Sequence, residues 1–265
     1  MSIRIASIPE DVEVVVIGDV HGRADLLKAI IEHFEMGDEF VREEKLAFVF
    51  LGDLIDRGPQ SHEAIELALE AVGRHPGSAI VMGNHEEFML DVMWGSDQWN
   101  AWDCWYTEGG AETLRSMGLD AGRRGAIEEI ILSLRRDELV RRLFEVCVDA
   151  ACDSRRIYSH AGIEPHVALE EQKPFHLRWI RGEFLDSRAD HGRIVVHGHS
   201  TTRYDLPEVR PNRIAVDTGA YRSGKLTAAW FSPDGSSGFV MAQGAPREGE
   251  PCPIRTGPVD PVEGA

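Results

Sequence analysis

Short apolar runs rich in Val, Ile and Phe recur along this chain and stop abruptly at Gly, Asp or His. They cover residues 12–18, 46–52, 78–83, 156–160, 194–198, 213–217 and 226–231. Runs this short, bounded by turn-forming residues, predict buried strands that feed loops. Between the early runs, residues 24–34 and 61–72 place apolar side chains at helical spacing. The first half therefore reads β-α-β-α-β, with its chemistry expected at the C-terminal ends of the strands.

From about residue 87 to 149 the periodicity turns helical, with Ile127, Ile130, Ile131 and Leu134 on one face and Leu139, Leu143 and Phe144 following. That segment is expected to form a helical cap. It holds Trp94, Trp99, Trp102 and Trp105, for which packing inside the cap is the expected role rather than a wall facing substrate. Beyond Phe231 the hydrophobic pattern fades. Residues 244–265 contain five prolines and few large apolar side chains, so they are expected to be disordered, leaving residues 1–243 as a single domain.

Composition narrows the partners. Acidic residues outnumber basic ones by 45 to 28, giving a formal charge of −17, which repels polyphosphate chains and speaks against a nucleic-acid binder. No apolar run is long enough to span a membrane, and the opening residues lack the pattern of a secretion signal. A cytoplasmic protein is expected. Cys104, Cys147, Cys152 and Cys252 form no CxxC pair, so buried free thiols are expected rather than disulfides or a zinc knuckle.

The candidate chemistry follows the strand-like runs. Gly18-Asp19-Val20-His21-Gly22 offers a carboxylate and an imidazole, and Gly52-Asp53-Leu54-Ile55-Asp56-Arg57-Gly58 offers two carboxylates and a guanidinium. Gly83-Asn84-His85-Glu86 adds an amide oxygen and an imidazole, and Ser159-His160-Ala161-Gly162 and His197-Gly198-His199 complete the set. Any one of these could be an ordinary turn. Five in succession predict a metal site, and mixed carboxylate, imidazole and amide donors suit manganese, with iron or zinc as alternatives, better than magnesium or calcium. No P-loop pattern occurs.

In this order the motifs GDVHG, GDLIDRG, GNHE, SHAG and HGHS resemble the phosphoprotein phosphatase branch of the calcineurin-like metallophosphoesterases, over about residues 12–231. The resemblance is to bacterial and phage serine/threonine phosphatases in particular. It implies an α/β fold with a central β-sandwich flanked by helices and a helical cap insertion. It also implies two divalent ions, one held by Asp19 and His21, the other by Asn84, His160 and His199, with Asp53 bridging both; His197 is then a supporting residue or a spacer. His85 paired with Asp56 is expected to be the proton donor to the leaving group, although Asp56 could also cap the helix that follows. Arg57, with Arg181 of Trp179-Ile180-Arg181, is expected to grip phosphate, and Arg178 competes with Arg181 for that role.

One departure bears on the branch. Phosphodiesterases and nucleases of this superfamily resemble GHxH, and the second histidine position is Thr201 here. The resemblance thus implies a phosphomonoesterase that transfers phosphate directly to water, on phosphoserine, phosphothreonine or phosphotyrosine in proteins. A symmetrical dinucleoside tetraphosphatase or another small-molecule phosphatase is the alternative, disfavoured because those enzymes usually lack the acid that Asp56 supplies. A degraded centre that only senses phosphate is a third reading, weakened by the presence of every expected ligand.

Overall fold

The computed structural model describes residues 3–36, 46–122, 126–245 and 253–263. In chain order the strands are β1 (Ile5–Ser7), β2 (Glu13–Ile17), β3 (Leu46–Phe50), β4 (Ala79–Ile80), β5 (Ala150–Cys152), β6 (Arg156–Ser159), β7 (Ile194–His197), β8 (Glu208–Arg210), β9 (Arg213–Ala215), β10 (Lys225–Phe231), β11 (Ser237–Gln243), β12 (Arg255–Pro258) and β13 (Val262–Glu263). One sheet runs β1-β5-β6-β7-β9-β8-β13 and the other β12-β11-β10-β2-β3-β4.

Period-two alternation tells why the strands read as unbroken apolar runs: both of their faces are covered. Val14 and Val16 of β2 and Ala47 and Val49 of β3 face inward, where they meet Tyr158 of β6 and Val196 of β7 in the core between the sheets. Their neighbours Val15, Ile17, Phe48 and Phe50 point the other way into a second core. Helices α1 (Ala24–Met36) and α2 (Ser61–Arg74) cover that face. On the far side of the sandwich, Ile157 and Val195 pack outward against Leu177 and Phe184, from α8 (Pro174–Trp179) and α9 (Gly182–Leu185) described below. The expected β2-α1-β3-α2-β4 unit is present, with β2, β3 and β4 parallel.

Between β4 and β5 the chain is helical: α3 (Asn84–Trp94), α4 (Gln98–Trp105), a kinked turn at Tyr106–Gly110, α5 (Ala111–Ser116), α6 (Ala126–Arg136) and α7 (Glu138–Val146). Helices α8, α9 and α10 (Ala220–Ser223) complete the α-helices among the described residues, and a short 3-10 turn spans Leu169–Glu171. No helix there is long and apolar enough to cross a membrane. The four tryptophans divide: Trp102 and Trp105 are buried, whereas Trp94 and Trp99 are exposed, so cap packing accounts for only two. Cys147 is buried and free, but Cys104 is exposed, against expectation, and Cys152 is half-buried; Cys252 lies outside the described residues.

The disorder expected over 244–265 does not hold where that segment is described. β12 pairs with β11, and β13 pairs with β8, each adding to a sheet edge through backbone hydrogen bonds that need little apolar burial. Residues 246–252 and 264–265 lie outside the described residues. A first test of this core is Phe50→Ala. The ring is fully buried, so its removal should destabilise the protein by about 3–5 kcal/mol in urea unfolding; a loss below about 1 kcal/mol would show that α1 and α2 do not seal this face.

Candidate metal centre

The five motif loops leave neighbouring strands at one end of the sandwich. Asp19 and His21 follow β2, Asp53 follows β3 and Asn84 opens α3 after β4, while His160 and His199 follow β6 and β7 of the other sheet. Adjacent parallel strands bring their C-terminal loops side by side, which is how residues distant in sequence come to share one pocket. The backbone turns sharply to aim them: His21, Asp53, Asp56, Arg57 and His199 are non-glycine residues with positive φ, between 45° and 74°.

Asp53 sits at the centre. Its Oδ2 lies 3.5 Å from His21 Nε2 and its Oδ1 lies 3.5 Å from His160 Nε2, one oxygen toward each imidazole. Asn84 Oδ1 is 2.9 Å from His160 Nε2 and 2.8 Å from His199 Nδ1. Among the described residues, two groups of donor atoms are close enough to hold an ion, His21-Asp53-His85 and Asp53-His160-His199, and they share Asp53. Asp19 is outside both tight groups. Its carboxylate accepts the backbone N–H of His199 at 3.0 Å.

The tautomers are fixed by carbonyls, which can only accept. His21 Nδ1 donates to Ile55 O at 2.9 Å and His160 Nδ1 donates to Leu51 O at 2.7 Å, so both rings turn the Nε2 lone pair into the pocket. Burial holds His21 well below its ordinary pKa, and it lowers His160 too. His199 is pushed down to about 2, first by burial and then by His160. These imidazoles are neutral donors. Asp53 resists burial because His160, His85 and His21 surround it, and its pKa falls below the usual carboxylate range. Asp19 is raised well above that range by burial, by Asp217 and by Asp53. Burial likewise raises Asp217.

Three buried carboxyls, neutral imidazoles and an amide oxygen in one pocket make a donor set that calls for a cation. The Nε2 atoms of His199 and His85 are buried without a protein partner, as expected of atoms left for a bound group. The residues present therefore fit divalent metal ions.

Next to this cluster, His85 Nδ1 lies 2.7 Å from Asp56 Oδ2, and both side chains are buried. Burial alone would lower the His85 pKa, but the carboxylates of Asp53 and Asp56 outweigh it and the net shift is upward. Arg57 Nη1 lies 2.9 Å from His21 Nε2, and the guanidinium lies over the Tyr221 ring at 5.1 Å. Arg181 is exposed and contributes positive charge that lowers His199. Arg178, the competing candidate, is bound by Glu87 and Asp149 and so is not free to meet a ligand.

Sequence reading missed several contributors. The buried Glu86 carboxylate accepts the backbone N–H groups of Gly83, Asp53 and Leu54, tying two ligand loops together; burial and then Asp53 push its pKa up to about 7. Its place in the Gly83–Glu86 motif was the available signal. Trp105, Thr113, Asp217 and Tyr221 reach the site only through tertiary contacts. Gly198 has a steric reason as well: a Cβ there would stand 1.9 Å from Asp19 Oδ1. Gly198→Ala should displace that carboxylate and weaken binding of one divalent ion roughly 10- to 100-fold by calorimetry; unchanged binding would remove Asp19 from the centre.

A two-sheet scaffold presenting such a pocket has the donors for divalent ions, and the family of the chain adds the reaction, hydrolysis of phosphoesters. The family model for calcineurin-like phosphoesterases matches residues 12–222, and the chain belongs to that family. It is 29% identical over 222 residues to serine/threonine-protein phosphatase 1 of Salmonella typhimurium, covering 81% of this chain and 89% of that protein. It is 28% identical over 238 residues to the asymmetrical bis(5'-nucleosyl)-tetraphosphatase PrpE of Oceanobacillus iheyensis, covering 82% and 87%. Among solved structures, one provisionally named a diadenosine tetraphosphatase superposes with a TM-score of 0.59 at 18% identity, over 90% of this chain and 98% of that one. The chain spans only 14% of the length of the rat serine/threonine-protein phosphatase with EF-hands 1, at 34% identity over 93 residues.

Proposed function

We propose that this phosphatase removes phosphate from phosphoserine or phosphothreonine in proteins, with phosphotyrosine a further possible substrate, using two divalent ions of which manganese is the first choice. The observation that carries the reading is the buried His85–Asp56 pair, 2.7 Å apart, placed beside the shared carboxylate of Asp53. When bound, the two ions supply Lewis acidity at the phosphoryl group and make water nucleophilic near neutral pH. Asp19 and His21 would hold one ion, Asn84, His160 and His199 would hold the other, and Asp53 would serve both.

The chain's own groups do the rest. Arg57 and Arg181 meet the equatorial phosphoryl oxygens with planar, bidentate donors as negative charge spreads there. His85 holds a proton at Nε2, steadied by the Asp56 carboxylate at Nδ1, and releases it to the departing oxygen of the serine or threonine. Neither the cysteines nor Ser159, whose hydroxyl donates to Gly162 O at 2.6 Å, is needed as a nucleophile.

Dinucleoside tetraphosphate hydrolysis is the second reading. It is favoured by the similarity to the Oceanobacillus protein and by aromatic rings near the centre: Tyr221 is 5.4 Å from His21, and Trp179 is 6.2 Å from His199, positions from which a base could be stacked. Turnover of a phosphoserine peptide against diadenosine tetraphosphate, with chelator-stripped protein reloaded with manganese, separates the two. A kcat/KM for the peptide at least about tenfold higher, a gap of roughly 1.4 kcal/mol in barrier, supports the protein substrate; the reverse order assigns the dinucleotide.

A further inference from the structure

We infer that the turn from Trp105 to Thr113 is a positioning clasp for the proton donor, with Trp105 and Thr113 orienting Asp56 and, through it, His85. The inference rests on the phosphomonoesterase reading above and deepens it.

The Asp56 carboxylate receives more than the His85 ring. Trp105 Nε1 donates to it, 3.0 Å from both oxygens, and Thr113 Oγ1 lies 2.6 Å from Oδ1. Thr113 Oγ1 also takes the Asp56 backbone N–H at 2.9 Å. All three side chains are fully buried, so these bonds form out of reach of competing water and fix direction strongly. A carboxylate so tethered cannot rotate away from His85 without leaving the buried Trp105 N–H unsatisfied, which is heavily penalised, whereas the Thr113 hydroxyl could turn to Ser61 Oγ, 3.1 Å away.

The backbone of the clasp is shaped for this contact. α4 ends at Trp105, the kinked turn Tyr106–Gly110 follows, and α5 begins at Ala111. Gly109 takes φ 114°, and a Cβ there would stand 2.6 Å from Arg57 N. Its carbonyl accepts the Arg57 N–H at 3.2 Å. Gly110 lets the Trp105 ring lie against the backbone, since a Cβ would be 2.6 Å from that ring. The chain kinks at Gly109 between the two helices, and the kinked segment from Trp105 to Thr113 grips both Asp56 and Arg57. Helix α3 opens with Asn84 and His85. The proton donor is thus held between two parts of the helical region: its own helix, and a clasp that reaches it across Asp56.

The test separates orientation from folding by comparing leaving groups. Proton donation matters for an alkoxide and little for 2,4-dinitrophenolate, which departs unprotonated. Trp105→Phe keeps the ring and removes the donor; Thr113→Val keeps the shape and removes the hydroxyl, and Thr113→Ser restores it. For the manganese-loaded protein, kcat on a phosphoserine peptide should fall roughly 10- to 100-fold in Trp105→Phe and Thr113→Val, while kcat on 2,4-dinitrophenyl phosphate and both KM values move less than about threefold. Thr113→Ser should recover most of the loss. In a His85→Asn background Trp105→Phe should add little, because the two residues act through one step.

Equal losses on both esters, or a full additional loss in the His85→Asn background, would overturn the clasp as a positioning device, as would an unchanged ratio between esters. Thermal unfolding identifies a variant that fails to fold, and the Thr113 pair then decides. If the wild type releases phosphate from neither ester, the phosphomonoesterase reading itself falls; if it releases phosphate from both and the variants match it, only the clasp falls.

Discussion

Asp53→Asn is expected to cut phosphate release by roughly 10³-fold or more, because one oxygen of Asp53 faces each imidazole cluster and a neutral amide can replace neither charge. The substitution is nearly isosteric, and the retained Oδ1 can still accept the His85 backbone N–H, a 3.0 Å bond in the wild type. Folding should therefore survive. Metal analysis after dialysis should find fewer than two divalent ions per chain, with the loss shared between the sites since both groups contain Asp53. Retention of two ions with activity within about tenfold of wild type would place the bridging charge elsewhere.

The second large effect is selective. His85→Asn should lower kcat on a phosphoserine peptide by roughly 10²- to 10³-fold with little change in KM, since the imidazole acts on the departing oxygen and not on binding. On para-nitrophenyl phosphate the fall should be smaller, because para-nitrophenolate leaves with less help. Steady-state kinetics on the two substrates check both statements. A uniform fall on both would mean that His85 serves the His21–Asp53 cluster as a ligand, a role its membership of that group allows, and would leave the leaving group without its assigned proton donor.

The metal pocket was legible in the sequence because each strand buries both faces and ends in a glycine turn, so the ligands stand out as polar interruptions of apolar runs. Asp19, His21, Asp53, Asn84, His160 and His199 stood out that way as candidates, and the structure brings them into one pocket. β11 was not, since Ser237 and Gly238 break its apolar pattern; its seven-residue pairing with β10 holds it. β12 and β13 escaped for a related reason, being held by ladders at sheet edges rather than by buried side chains. Trp105 read as core and is indeed fully buried, yet its indole N–H serves Asp56, 49 positions earlier. No local pattern carries that information. The choice between Arg178 and Arg181 was equally closed to spacing arguments, since it turns on whether Glu87 and Asp149 already occupy the guanidinium.

The left-handed backbone at His21, Asp53, Asp56, Arg57 and His199 has an evolutionary consequence. Each such conformation costs a non-glycine residue about 1–2 kcal/mol, less for aspartate. Glycine would relieve that strain, but at Asp56 it would also leave the buried Trp105 N–H without its acceptor, whereas Arg57 is only half-buried. Selection for heat resistance alone should therefore act first at Arg57, and the persistence of catalysis there would have to be enforced by a separate screen for turnover.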